Sequence, residues 1–181
     1  NGYHSVTFAG DNQSYLDSFS NISTPEQVSL HKISGEHIPW LSENKIDESH
    51  PIQPFIGDIV EPEFGSLKSD DGTANLYYKI YKPKQLEPGK KYPVIVNVYG
   101  GPHAQRVTNR WGAANLTQYM VQQGYVVFQL DNRGSNYRGT GFEFPIYEKL
   151  GAVEVDDQIS GVKYLRTSPY VDEERIGIYG H

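Results

Sequence analysis

Val94-Ile95-Val96-Asn97-Val98-Tyr99, followed at once by Gly100-Gly101-Pro102, decides the fold. A run dominated by β-branched side chains, without polar alternation, reads as a strand buried on both faces, as in parallel sheets. Glycine and proline then stop it. Toward the C-terminus, Trp111 to Gln123 carries a helical pattern, with Leu116, Tyr119 and Met120 on one side and Gly124 as its cap. Tyr125–Leu130 predicts a second buried strand, ending at Asp131-Asn132-Arg133-Gly134-Ser135. Glu154 to Arg166 predicts a second helix, with Val155, Ile159, Val162 and Leu165 on its packed face and acidic residues in its first turn. Arg175–Tyr179 is a third short strand, followed by Gly180-His181. Strand, helix, strand, helix, strand implies a parallel sheet with right-handed crossovers, so the fold class is α/β.

Upstream of the deciding strand, Phe64–Lys68 and Leu76–Lys82 flank the turn cluster Ser69-Asp70-Asp71-Gly72-Thr73 and predict a β-hairpin. Residues 1 to 48 have a different character. Ser5–Phe8, Tyr15–Phe19 and Val28–Ile33 predict three short strands of a meander, with a break at Thr24-Pro25 and turns at Asp11-Asn12 and Ser34-Gly35. Strands this short and close belong to sandwiches, barrels or propeller blades, and three alone bury too little to be stable. Residues 49 to 60, polar at first and then carrying Pro51 and Pro54, read as a linker.

Composition removes several function classes. The 181 residues include no cysteine, which excludes disulfides, thiolate metal sites and thiol catalysis. The six histidines form no His-x-x-x-His pair, so no metal and no cofactor is expected. Sixteen basic against twenty-two acidic residues give a net charge of −6, which argues against a nucleic-acid partner. No apolar window is long enough for a membrane span. Asn1-Gly2-Tyr3-His4 carries no targeting pattern, and a soluble chain of cytoplasmic, periplasmic or secreted location is equally compatible with the sequence.

In open α/β sheets, function collects at the C-terminal ends of the strands. Here those ends are Tyr99-Gly100-Gly101-Pro102-His103, Asp131 to Ser135, and Tyr179-Gly180-His181. A strand followed by Gly-X is how the nucleophile elbow Gly-x-Ser-x-Gly begins, because the nucleophile sits on a strained turn that leaves no room for neighbouring side chains. A nucleotide-binding reading of Asp131 at a strand end fails. Gly100-Gly101-Pro102 is not Gly-x-Gly-x-x-Gly, and Pro102 has no N–H to offer a phosphate.

Four segments carry a family resemblance: Lys90 through Val94–Tyr99 to Pro102, Asp131-Asn132-Arg133-Gly134-Ser135, Gly151 through Glu154-Val155-Asp156-Asp157 to Gln158, and Val171-Asp172 through Arg175 to His181. In this order they resemble the prolyl oligopeptidase family of serine peptidases, in its dipeptidyl peptidase IV branch. Ser20, Thr24-Pro25 and Val28-Ser29-Leu30 resemble the last strands of that family's β-propeller, and Trp40-Leu41 with Asn44 its exit segment. The resemblance implies an internal slice: residues 1–48 as terminal propeller strands, 49–60 as linker, and 61–181 as the N-terminal half of an α/β-hydrolase sheet that stops just before the nucleophile serine. It also implies a homodimeric parent that cleaves short peptides through an acyl-enzyme and releases N-terminal Xaa-Pro or Xaa-Ala dipeptides. The triad Ser, Asp and His would all lie outside these residues.

One role carries over within the chain. The family's Val-Tyr-x-Gly-Pro motif points its tyrosine at the oxyanion, and that position is Tyr99; read without the family, Tyr99 is a strand-end aromatic with its hydroxyl in water. Gly180 and His181 would open the elbow, His181 being distinct from the triad histidine. His103 reads as a loop residue rather than a catalyst. Arg133 could touch substrate, but a structural ion pair with Asp156 or Asp157 in the acidic first helical turn is the favoured expectation. Gly100 and Gly101 serve either a turn or close approach to substrate. The alternative function is a non-catalytic α/β-hydrolase homologue acting as an interaction protein, and an oxyanion donor at residue 99 weighs against it.

Overall fold

The computed structural model describes residues 1–113 and 115–180 and divides into two compact units, Asn1–Glu61 with Thr108–Asn115, and Pro62–Val107 with the chain from Leu116 onward.

The first unit is a four-stranded antiparallel meander in the order β1 (Tyr3–Phe8), β2 (Ser14–Asn21), β3 (Thr24–Lys32), β4 (His37–Ser42). Three strands were expected, and Trp40-Leu41 was read as an exit segment. The fourth strand lacks a burial pattern because all six of its residues are exposed; backbone pairing with β3 (Ser29 with Trp40, His31 with His37) defines it instead. Thr24-Pro25 does not break the chain either. The turn is at Ile22-Ser23, where the Asn21 side chain accepts from the Ser23 N–H (2.9 Å) and hydroxyl (3.1 Å). Pro25 then sits second in β3, a position where a strand tolerates the missing N–H. Rings line up across the sheet: Tyr15 stacks on His31 at 5.1 Å, and His31 meets His37 edge-on at 5.3 Å. The segment 108–115 joins this unit through Asn109, whose side-chain oxygen accepts from the Ile22 N–H at 3.0 Å, and through Arg110, 4.1 Å from the centre of the Tyr3 ring. A short 3-10 turn, Gln53–Asp58, lies in the expected linker.

The second unit is a mixed sheet. Its strands are β5 (Glu63–Lys68), β6 (Asn75–Tyr81), β7 (Tyr92–Val98), β8 (Val126–Asp131) and β9 (Val171–Gly180), in the order β5-β6-β8-β7-β9. β5 and β6 form the expected hairpin and pair antiparallel onto β8, while β7 runs parallel to both β8 and β9. The crossovers contain α1 (Leu116–Gln122) between β7 and β8, and α2 (Thr140–Glu143), a 3-10 turn and α3 (Val153–Arg166) between β8 and β9. All six residues of β8 are buried, and Leu76, Val94, Val126, Phe128 and Leu165 form the centre of the core.

Both helices follow the sequence pattern only in part. α1 begins at Leu116 rather than Trp111, and it buries Thr117, Gln118 and Val121 while Leu116 and Tyr119 are exposed. α3 buries Glu154, Asp157, Ser160, Gly161 and Leu165, and Val162 packs on the core as expected, while Val155 and Ile159, each 45% exposed, line a cleft with Val96, Val98 and Ile178. Two features hold α3 against the sheet. Asp157 is anchored by Arg133, and Gly161 lets the helix come so close that a Cβ there would lie 3.0 Å from the Phe128 ring. A large apolar residue at 161 would push the helix off the sheet.

Candidate active site at the strand ends

Strand β7, interior between β8 and β9, delivers Tyr99 to the C-terminal edge of the sheet, where the ring is half-buried. On one side of β7, the β9 register pairs Val98 with Gly180. Gly180 has φ +140°, and a Cβ there would lie 1.8 Å from the Val98 carbonyl oxygen, so only glycine fits. His181 lies outside the described residues.

On the other side, β8 ends in three consecutive polar residues that each hold something. Asp131, 2% exposed, accepts the backbone N–H groups of Arg106 (2.7 Å) and Val107 (3.1 Å) on one carboxylate oxygen. The Asn132 amide donates to the Gly100 carbonyl at 3.2 Å and is itself oriented by Gln158 of α3, which donates to its side-chain oxygen at 3.0 Å. Arg133 turns away from the strand ends. Its Nε and Nη2 make a fork onto the fully buried Asp157 (Nη2 to Oδ1 2.7 Å), its own N–H donates to the same carboxylate at 2.8 Å, and Nη1 reaches Asp71 at 2.7 Å. The second carboxylate on Arg133 is thus Asp71 in the β5–β6 turn; Asp156, the other residue expected there, is exposed. Asp71 is the residue that sequence spacing could not find, because 62 positions separate it from Arg133.

Electrostatics follow from this packing. The Ser69 hydroxyl, the Thr73 N–H and Arg133 together hold the Asp71 carboxyl well below the usual range, in that order of strength for the first two. The Asp157 carboxylate raises Arg133 further above its already high value. Burial pushes Asp131 up against the two N–H groups that favour its charge, and burial holds the Lys79 ammonium on β6 down at about 8 despite the attraction of Asp131.

His103 lies beyond Pro102 with a left-handed backbone (φ +61°), its N–H donating to the Gly134 carbonyl at 3.3 Å. It stands with Pro102 and Gly134 in the wall of a cleft of about 660 Å³ whose other wall is Phe144, Tyr147 and Leu150. Among the described residues no group of three histidine or acidic side chains could hold a metal ion, and no helix is long and apolar enough to cross a membrane. Asp131, Asn132 and Gln158 are contributors that sequence reasoning left without a role. The contiguity of Asp131 and Asn132 with Arg133 at a strand end was the available signal.

Residues 111–181 match the model of the Prolyl oligopeptidase family. Mouse dipeptidyl peptidase 8 is 36% identical over 189 residues, an alignment covering 99% of this chain and 21% of that protein. Bovine prolyl endopeptidase FAP is 37% identical over 137 residues, covering 75% of this chain and 18% of the relative. The crystal structure of Porphyromonas gingivalis dipeptidyl peptidase 4 matches with a TM-score of 0.87 at 31% identity, over 99% of this chain and 25% of that one. The chain spans about a fifth of the length of the curated relatives it matches. With these likenesses the mixed sheet is the N-terminal half of an α/β-hydrolase sheet, preceded by antiparallel strands of a β-propeller.

Proposed function

The chain belongs to the prolyl oligopeptidase family, and we propose that it forms part of a serine peptidase that hydrolyses short peptides through an acyl-enzyme. Within this reading residues 1–48 are terminal propeller strands, 49–60 a connector and 61–181 the N-terminal part of the peptidase domain, in a homodimeric parent. The substrate is a peptide with a free amino terminus that loses a dipeptide, the class suggested by the dipeptidyl peptidase names of the relatives, and the family resemblance adds proline or alanine in second place.

The observation that carries the proposal is the pairing of Val98 with Gly180 on adjacent parallel strands. It sets Tyr99 one residue beyond the pair, beside Gly180, where there is no room for a Cβ. In the proposed mechanism a serine on that turn attacks the peptide carbonyl, and a histidine base takes its proton. The carbonyl oxygen becomes an anion as the bond forms. The Tyr99 hydroxyl donates to it, together with the backbone N–H that follows the serine, so the donors meet charge that exists only during reaction. Gly180 and His181 form the opening of the elbow. Arg133, with Asp157, takes a structural role: it ties the end of β8 to α3 behind the site.

Reaction of the full-length protein with a serine-directed organophosphonate tests this. The expected result is a single covalent adduct on the residue following His181, which then blocks hydrolysis of an Xaa-Pro anilide. A protein that is folded but takes up no label would instead be the non-catalytic homologue.

A further inference from the structure

The loop from Gly100 to Val107 begins immediately after Tyr99, and the exit of β8 holds it at three places. Asn132 binds the Gly100 carbonyl, Gly134 accepts the His103 N–H, and Asp131 takes the N–H groups of Arg106 and Val107. The third point differs from the others in its chemistry. A carboxylate at 2% exposure is a costly way to satisfy two backbone donors unless its position matters. The charges around it come from three elements: Lys79 on β6, itself 8% exposed, Arg106 in the loop and Arg138 beyond β8. By fixing the backbone of Arg106, Asp131 also fixes where its side chain starts, and the Arg106 guanidinium lies 5.9 Å from the centre of the Tyr99 ring. That is within the range of a cation–π contact. One carboxylate therefore governs both the loop that leaves Tyr99 and the cation that lies against its ring.

We propose that Asp131 is a positioning residue: it sets the loop that follows Tyr99 and, through Arg106, the ring, so that the hydroxyl is held where the oxyanion forms. The proposal rests on the reading of Tyr99 as an oxyanion donor. It is distinct from a role in folding, because a folding role would act on every variant alike whereas a positioning role acts only while the hydroxyl is present.

The experiment is a double-mutant cycle in the full-length protein, with kcat and KM measured on an Xaa-Pro anilide for Asp131→Ala and Asp131→Asn, each alone and combined with Tyr99→Phe. Misplacement of a catalytic group by about an ångström costs up to roughly a hundredfold. Asp131→Ala is expected to lose about tenfold to a hundredfold in kcat with KM moving less than about threefold. Asp131→Asn keeps the shape and one acceptor for the two N–H groups and should lose about three- to tenfold, an intermediate value. In the Tyr99→Phe background both losses should shrink to less than about twofold, because effects that act through one group do not add. Equal loss in both backgrounds, or no loss from either Asp131 variant, overturns the proposal. If Asp131→Ala does not fold, the Asp131→Asn cycle alone decides by the same criterion. Should Tyr99→Phe by itself leave kcat unchanged while the protein is active, the oxyanion reading fails, an outcome separate from equal losses in a background where the tyrosine matters.

Discussion

Replacing Arg133 by methionine is expected to destabilise the second unit by about 3–5 kcal/mol, the cost of leaving one member of a buried pair alone. The side chain is 11% exposed and Asp157 is fully buried, so the carboxyl group would be left in the interior with neither solvent nor guanidinium beside it. Two side-chain donors to Asp157, Nε and Nη2, would be lost, and the backbone N–H of residue 133 would remain. Arg133→Lys should recover only part of the loss, since an ammonium cannot reproduce the fork that also reaches Asp71. Combining Arg133→Met with Asp157→Leu removes both charges and should restore most of the stability. The measurement is chemical denaturation of the four proteins, followed by a probe in α3 such as amide hydrogen exchange, because the full-length protein has several units that need not unfold together. A loss below about 1 kcal/mol for Arg133→Met, the size of an exposed ion pair, would show that the pair is not structural and would return Arg133 to the role of a substrate contact.

Tyr99→Phe should lower kcat of the full-length protein roughly a hundred- to a thousandfold, about 2.7–4 kcal/mol of transition-state stabilisation. The substitution keeps the aromatic ring, the strand and the Arg106 contact, and removes one donor. In the proposed mechanism the oxygen it would serve carries full negative charge only after serine attack, so the substrate complex loses little and KM should move far less than kcat. The melting temperature should shift little as well, since β7 and its pairing with β8 and β9 do not involve the hydroxyl. Steady-state kinetics and a melting curve on the two proteins check all three statements. A fall in kcat smaller than about threefold would remove Tyr99 from the oxyanion site, because even one such donor is worth far more. A large fall in melting temperature would assign the residue to structure instead.

The sheet was legible because burial on both faces writes itself into sequence. Val94–Val98 and Val126–Leu130 are nearly continuous apolar runs, and they pair in parallel as expected. The helices were legible as helices but only in part in the faces they bury. Periodicity assigns α3 a face of Val155, Ile159, Val162 and Leu165; Val162 and Leu165 do pack on the core, but the helix also buries Asp157 and Gly161, a charge answered from β8 and a glycine that admits Phe128. Hydrophobic periodicity carries no signal for a face built on an ion pair and a close approach. β4 was missed for the complementary reason, since an exposed strand leaves only its backbone pairing, which sequence does not display. At the site, Gly180 stands out at a strand end and Arg133 ahead of an acidic helical turn, whereas Tyr99 is singled out by the family resemblance and not by its strand end. Asp71 and the loop contacts of Asp131 and Asn132 depend on separations of 62, 25 and 32 residues that only the fold closes.

The most direct test of the account is the hydrolysis of an Xaa-Pro dipeptide anilide by the full-length protein, with the products identified by mass. The account predicts saturable release of the anilide chromophore together with the intact free-amine dipeptide, and loss of that turnover once the residue after His181 carries a phosphonate. A folded full-length protein that releases no chromophore above buffer would contradict it.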